Sequence, residues 1–63
     1  MTPISFAIDD IEFTLTRRKD GRFRVECTDD AWDYETCEHA RCLTWDVQWC
    51  PSIDDALDVL GVA

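Results

Sequence analysis

Four cysteines and one histidine are the most reactive side chains of this 63-residue sequence: Cys27, Cys37, Cys42, Cys50 and His39. Four thiols and an imidazole are enough ligands for tetrahedral zinc. However, the sequence contains neither a Cys-x-x-Cys unit nor the two closely spaced ligand pairs that are typical of zinc-binding motifs. We therefore expect ordinary thiols, no metal and no other cofactor. Two alternatives stay open: a single disulfide, and a zinc or redox module on Cys37, His39 and Cys42.

His39 with Cys37 or Cys42 could also serve as a base and a nucleophile. Such a pair needs an orienting third group, an oxyanion site and a pocket, whereas a chain of this length buries only a small core. The adjacent carboxylates Asp29-Asp30 and Asp54-Asp55 are explained better by helix starts than by acid–base pairs. We predict no catalytic residue and no enzymatic activity.

The charges are unevenly distributed. Fourteen Asp and Glu against six Lys and Arg give a formal net charge of −8, yet residues 17–24 hold five basic side chains and one acid. Arg18, Arg22 and Arg24 are predicted to face outward there as a secondary basic patch. A nucleic-acid-binding module on this patch is an alternative function. It is disfavoured because the acidic remainder repels DNA and no aromatic residue accompanies the arginines to stack bases.

The acidic side chains are the larger signal. Duplex DNA carries one negative charge per ~1.7 Å of its axis, so an array of carboxylates can occupy a groove built for DNA. The alternative is a solvated acidic surface that serves solubility. We predict two rows of partner-binding carboxylates, helped by an exposed aromatic residue: Asp29, Asp30, Asp33, Glu35 and Glu38 in one, and Asp54, Asp55 and Asp58 in the other.

Two predicted β-hairpins position these charges. Apolar residues alternate with polar or small ones along most of the first 27 residues, which is typical of half-buried strands. A two-residue turn at Asp9-Asp10 and a three-residue loop, Lys19-Asp20-Gly21, join three strands. The register places the apolar side chains on one face: Ile4, Phe6, Ile8, Ile11, Phe13, Leu15, Phe23, Val25 and Cys27.

A fourth strand is predicted over residues 42–50. Leu43, Trp45, Val47 and Trp49 alternate there with polar residues, so that one face would bury both tryptophans in the core.

Two helices are predicted beside the sheet. Residues 28–41 form an acidic helix capped by Thr28 or Asp29, although alternation in the same segment leaves a strand open. Ser52 caps a short C-terminal helix that ends at Gly61 and packs across the Phe and Trp face.

These elements predict one α+β domain over residues 1–63, a small antiparallel sheet of about four strands that begins with a three-stranded meander, plus the two helices. Hydrophobic residues make up 46% of the chain, which is enough for a packed core. Because the first residues lack a basic region and Asp9-Asp10 interrupts the apolar run, we expect no signal peptide, no membrane span and a cytoplasmic protein.

In its size, acidity and compact α+β character the chain resembles the small acidic inhibitors that phages encode against host defences, in particular anti-CRISPR proteins that act as DNA mimics. These proteins share no sequence motif, so the resemblance transfers no functional residue. The five basic side chains of residues 17–24 also depart from a DNA-like surface. The resemblance implies an inhibitor that binds the positively charged DNA-binding, PAM-reading groove of a CRISPR effector complex and blocks target DNA binding. We expect a monomer or weak dimer in the host cytoplasm that binds no nucleic acid directly.

Overall fold

The computed structural model describes residues 3–28 and 34–62. These residues form strands β1 (Ile4–Ile8), β2 (Ile11–Arg17) and β3 (Phe23–Cys27), followed by helices α1 (Tyr34–Val47) and α2 (Ile53–Leu60). The strands make an antiparallel sheet in the order β1-β2-β3. The α+β class and the three-stranded meander are confirmed.

The sheet has the register that its turns predict. Phe13 lies opposite Phe6 on β1 and opposite Cys27 on β3. Asp9 and Asp10 have φ angles of 53° and 66°, and two successive positive φ values are what a two-residue type I′ hairpin requires. This turn keeps the apolar side chains on one face, because a slip of one residue would turn them all to the other.

The core lies between this face and the two helices. The buried apolar side chains come from β2, β3 and both helices, whereas the inward side chains of β1 are only half-buried. The buried set is Phe13, Leu15, Phe23, Val25, Ala40, Val47, Ala56 and Leu60.

The predicted fourth strand over residues 42–50 is wrong. Helix α1 continues through this segment to Val47, and Trp45 and Trp49 are 70% and 66% exposed instead of buried. The alternation was misleading because the same residues also fit a helix. Thr36, Ala40, Leu43 and Val47 recur at helical spacing and face the core, with Leu43 half-buried and the others buried.

The described part of α1 begins later than the predicted helix. The helix begins at Tyr34, and the backbone N–H of Thr28 donates to the carbonyl of Glu12 at 3.0 Å. Thr28 therefore prolongs the ladder between β2 and β3, and the residues that a Thr28 cap would contact lie outside the described ones. The other predicted cap, Asp29, lies outside the described residues.

Helix α2 begins and ends at the predicted residues. The Ser52 hydroxyl accepts the backbone N–H of Asp55 at 3.3 Å, and Gly61 adopts the left-handed conformation at φ 75°. The helix packs against the apolar core through Ala56 and Leu60. The expectation that it covers the tryptophans is wrong, because Trp45 and Trp49 point to solvent.

Candidate interaction surfaces

The predicted partner-binding carboxylates are only partly described. Glu35 and Glu38 lie on α1, and Asp54, Asp55 and Asp58 lie on α2, all of them exposed. Asp54 and Asp55 are four and three residues before Asp58, so the three acids share the outer face of α2. The remaining members of the first row, Asp29, Asp30 and Asp33, lie outside the described residues.

Few of these acids are neutralised by the protein itself. Within residues 3–28 and 34–62 the ion pairs are Arg18–Asp20, Arg24–Glu26 and Arg41–Glu38. The other acids of those ranges are exposed and form no ion pair there. We call them the unpaired acids: Asp9, Asp10, Glu12, Glu35, Asp46, Asp54, Asp55 and Asp58.

The arginines, by contrast, all contact groups of the protein itself. Beyond the three in ion pairs, the Arg17 guanidinium lies over the Phe23 ring at 4.3 Å and donates to the Gly21 carbonyl at 3.1 Å. Arg22 lies over the Trp49 ring at 4.5 Å. Arg18, Arg22 and Arg24 are exposed, as predicted for the basic patch, but each has an internal partner.

Trp49 and Trp45 are functional candidates that lie on the surface and not in the predicted core. Trp49 contacts Arg22, so the expectation that no aromatic residue accompanies the arginines is wrong. Trp45 lies four residues after Arg41 on α1, which places both on the outer face of the helix. The helical spacing of Arg41 and Trp45, together with the buried Ala40 on the same helix, was the sequence signal that could have revealed the exposed face of α1.

An open cleft of about 400 Å³ lies between β3 and α1. Arg18, Arg24 and Arg41 line it together with the half-buried thiols of Cys27 and Cys37. Arg24 is paired with Glu26, which also lines the cleft. The cleft is therefore rich in guanidinium groups although the protein is acidic.

The other reactive side chains do not gather at this cleft. Cys42 is exposed on α1, and Cys50 is half-buried against the core; all four cysteines are free thiols in the structure. His39 is half-buried with its ring edge-on to Phe13 at 5.6 Å. Among the described residues no group of three or more potential ligands could hold a metal ion.

Comparison with known proteins adds no functional residue to these surfaces. No family model, no curated protein and no solved structure matches the chain. None of the helices in the described ranges is long and apolar enough to cross a membrane.

Proposed function

We propose that this chain is a non-enzymatic binding protein that docks its acidic surface on the DNA-binding surface of a protein partner and thereby competes with DNA. The observation that supports this proposal is the asymmetry between the charges. The unpaired acids are exposed, whereas every arginine has a partner within the molecule. An approaching protein therefore meets exposed carboxylates outside ion pairs, which attract a cationic surface, although that of Asp55 also accepts the Ser52 hydroxyl at 2.9 Å.

A CRISPR effector complex is the partner class that the resemblance implies. Its DNA-binding, PAM-reading groove is cationic and accepts a rod of negative charge, and the outer face of α2 with Asp54 and Asp58 offers carboxylates one helical turn apart. Electrostatic attraction of this kind mainly raises the association rate and weakens with salt. Local affinity would come from an exposed aromatic side chain, for which Trp45 is a candidate.

A competition assay tests this function. Guide-loaded effector complexes of several types are bound to fluorescent target DNA, and the protein is titrated at increasing NaCl. We expect displacement of the DNA by the wild-type protein. The double change Asp54→Lys with Asp58→Lys should weaken displacement on the order of tenfold and flatten its salt dependence.

The matched control reverses one charge in the basic segment of residues 17–24. Lys19→Glu changes a single exposed side chain in the hairpin loop, so it should leave displacement unchanged or improve it slightly. Circular dichroism confirms that each variant is folded. Equal displacement by the wild-type protein and the α2 double variant would remove this helix from the interface, and no displacement from any complex would refute the partner class.

A nucleic-acid-binding module is the second candidate, because Arg22 is stacked on the exposed Trp49 and three arginines line the cleft. Aromatic rings beside guanidinium groups bind single-stranded nucleic acid by base stacking. Electrophoretic mobility shifts with labelled single- and double-stranded DNA and RNA at low salt separate the two functions. The DNA-mimic function predicts no shift, whereas the module predicts a shift that Trp49→Ala abolishes.

A further inference from the structure

The two edges of the sheet are not equivalent. Along β2, the hydrogen bonds of Arg18 to Arg22 and of Thr28 to Glu12 show that even-numbered residues bond to β3. Odd-numbered residues of β2 therefore bond to β1, where their partners are Ile4, Phe6 and Ile8. The N–H and C=O groups of Ser5 and Ala7 consequently point away from the sheet.

The β3 edge is occupied by the protein itself. The Thr44 hydroxyl of α1 accepts the outward N–H of Val25 at 2.9 Å and lies 3.1 Å from the Val25 carbonyl. The charged side chains of Arg24 and Glu26 also stand on this strand, and charges discourage edge-to-edge pairing. Within residues 3–28 and 34–62 no side chain or backbone group hydrogen-bonds to the outward groups of Ser5 and Ala7, and the strand Ile-Ser-Phe-Ala-Ile contains no charged residue.

The sequence of β1 is its own antiparallel complement. Read in either direction it runs Ile, small, Phe, small, Ile. When two copies pair about a two-fold axis at Phe6, Ser5 of each lies opposite Ala7 of the other and Ile4 lies opposite Ile8. This register matches the outward groups, because each Ser5–Ala7 pair then exchanges two backbone hydrogen bonds.

The geometry points to a second copy of this chain as the partner of β1, in a symmetric dimer with one continuous six-stranded sheet. Phe6 stacks on Phe13 with ring centroids 5.7 Å apart, so the dimer extends this pair into a row of four rings. The half-buried Ile4, Phe6 and Ile8 become more deeply buried. A two-fold interface must be self-complementary, and β1 meets this requirement residue by residue.

Charge permits this contact although the protein is acidic. In the proposed register Asp9 of one copy lies six residues along the strands from Asp9 of the other, about 20 Å. This distance exceeds the Debye length of about 10 Å at 0.1 M salt. The pairing residues all lie on β1, so the dimer does not depend on the proposed function of the α2 acids.

Sedimentation equilibrium of the wild-type chain from roughly 10 µM to 1 mM tests the dimer. We expect the apparent mass to rise from 7.3 kDa toward twice that value. Amide hydrogen exchange of Ser5 and Ala7 should slow on the order of tenfold over the same range, because only the dimer protects these amides.

Ala7→Pro should stay monomeric, since proline removes an N–H that points away from β2 and leaves the ladder with β2 intact. Ala7→Lys should block pairing through an edge charge, and the matched control Ala7→Ser should dimerise like the wild type. Circular dichroism shows that the variants are folded. A constant mass of 7.3 kDa for the wild type would overturn the proposal. So would association of the Ala7→Pro and Ala7→Lys variants as strong as that of the wild type.

Discussion

The hydroxyl of Thr44 connects α1 to the sheet at a single atom. It accepts the N–H of Val25 at 2.9 Å and lies within donor distance of the carbonyls of Val25 and Ala40, at 3.1 and 2.9 Å. A buried or half-buried backbone N–H without a partner is costly. Thr44 therefore satisfies the edge of β3 from a position on a helix, which no local pattern of residues reveals.

Replacing this hydroxyl by a methyl group tests its role. Thr44→Val keeps the volume but leaves the Val25 N–H unpaired, so we expect the free energy of unfolding to fall by about 1–3 kcal/mol. Urea denaturation measures the loss. Thr44→Ser retains the hydroxyl and should lose clearly less than the Val variant, whereas equal losses in both would show that packing, not hydrogen bonding, determines the effect.

At the scale of elements, α2 depends on its ends. Isolated helices of its length, eight residues, are unstable in water, and both termini have backbone groups that need partners. Ser52 satisfies the N–H of Asp55, while Gly61 lets the last turn close through hydrogen bonds of Gly61 to Asp58 and of Val62 to Leu57. These caps set the length of the helix that displays Asp54 and Asp58.

Ser52→Ala removes the N-cap acceptor and should lower the free energy of unfolding by about 1 kcal/mol. Urea denaturation followed by far-ultraviolet circular dichroism measures the change. Ser52→Asn restores a side-chain acceptor and should recover most of the stability. If Asn is as destabilising as Ala, the cap is not the source of the loss.

At the scale of the whole molecule, the basic side chains of residues 17–24 gather at one end, whereas the unpaired acids are spread over several elements. The Asp9-Asp10 turn and the Lys19–Gly21 loop lie at opposite ends of β2, whose seven residues span about 24 Å. The loop end holds the arginine contacts with Phe23 and Trp49. The unpaired acids lie at the Asp9-Asp10 turn, on β2 and α1 and along α2. Mutual repulsion among these acids opposes the compact state.

Salt should therefore stabilise the protein. Raising NaCl from about 10 mM to about 100 mM shortens the Debye length from about 30 Å to about 10 Å. We expect the melting temperature, measured at one protein concentration, to rise by several degrees, since 1 kcal/mol corresponds to roughly 4–8 °C in a domain of this size. The rise should be smaller for Asp54→Asn with Asp58→Asn. A melting temperature that falls with salt would show that the ion pairs outweigh the repulsion.

The features that the sequence determined by itself are those with local causes. The Asp9-Asp10 turn and the loop closed by Gly21 specify the register of three strands, because each turn type allows only certain backbone angles. Ser52 and Gly61 specify the ends of α2 for the same reason. The net charge and the acidic outer face of α2 also follow from residue types and helical spacing alone.

Tertiary structure decided the rest. The segment from Leu43 to Val47 fits both a strand and a helix locally. The helix prevails because it buries Ala40 and Val47 and packs Leu43 against the core, while Thr44 satisfies the β3 edge. The state of the arginines was equally non-local, since Arg22 meets Trp49 across 27 positions of sequence. Only folding brings such groups together, and it thereby determines which charges remain free for a partner.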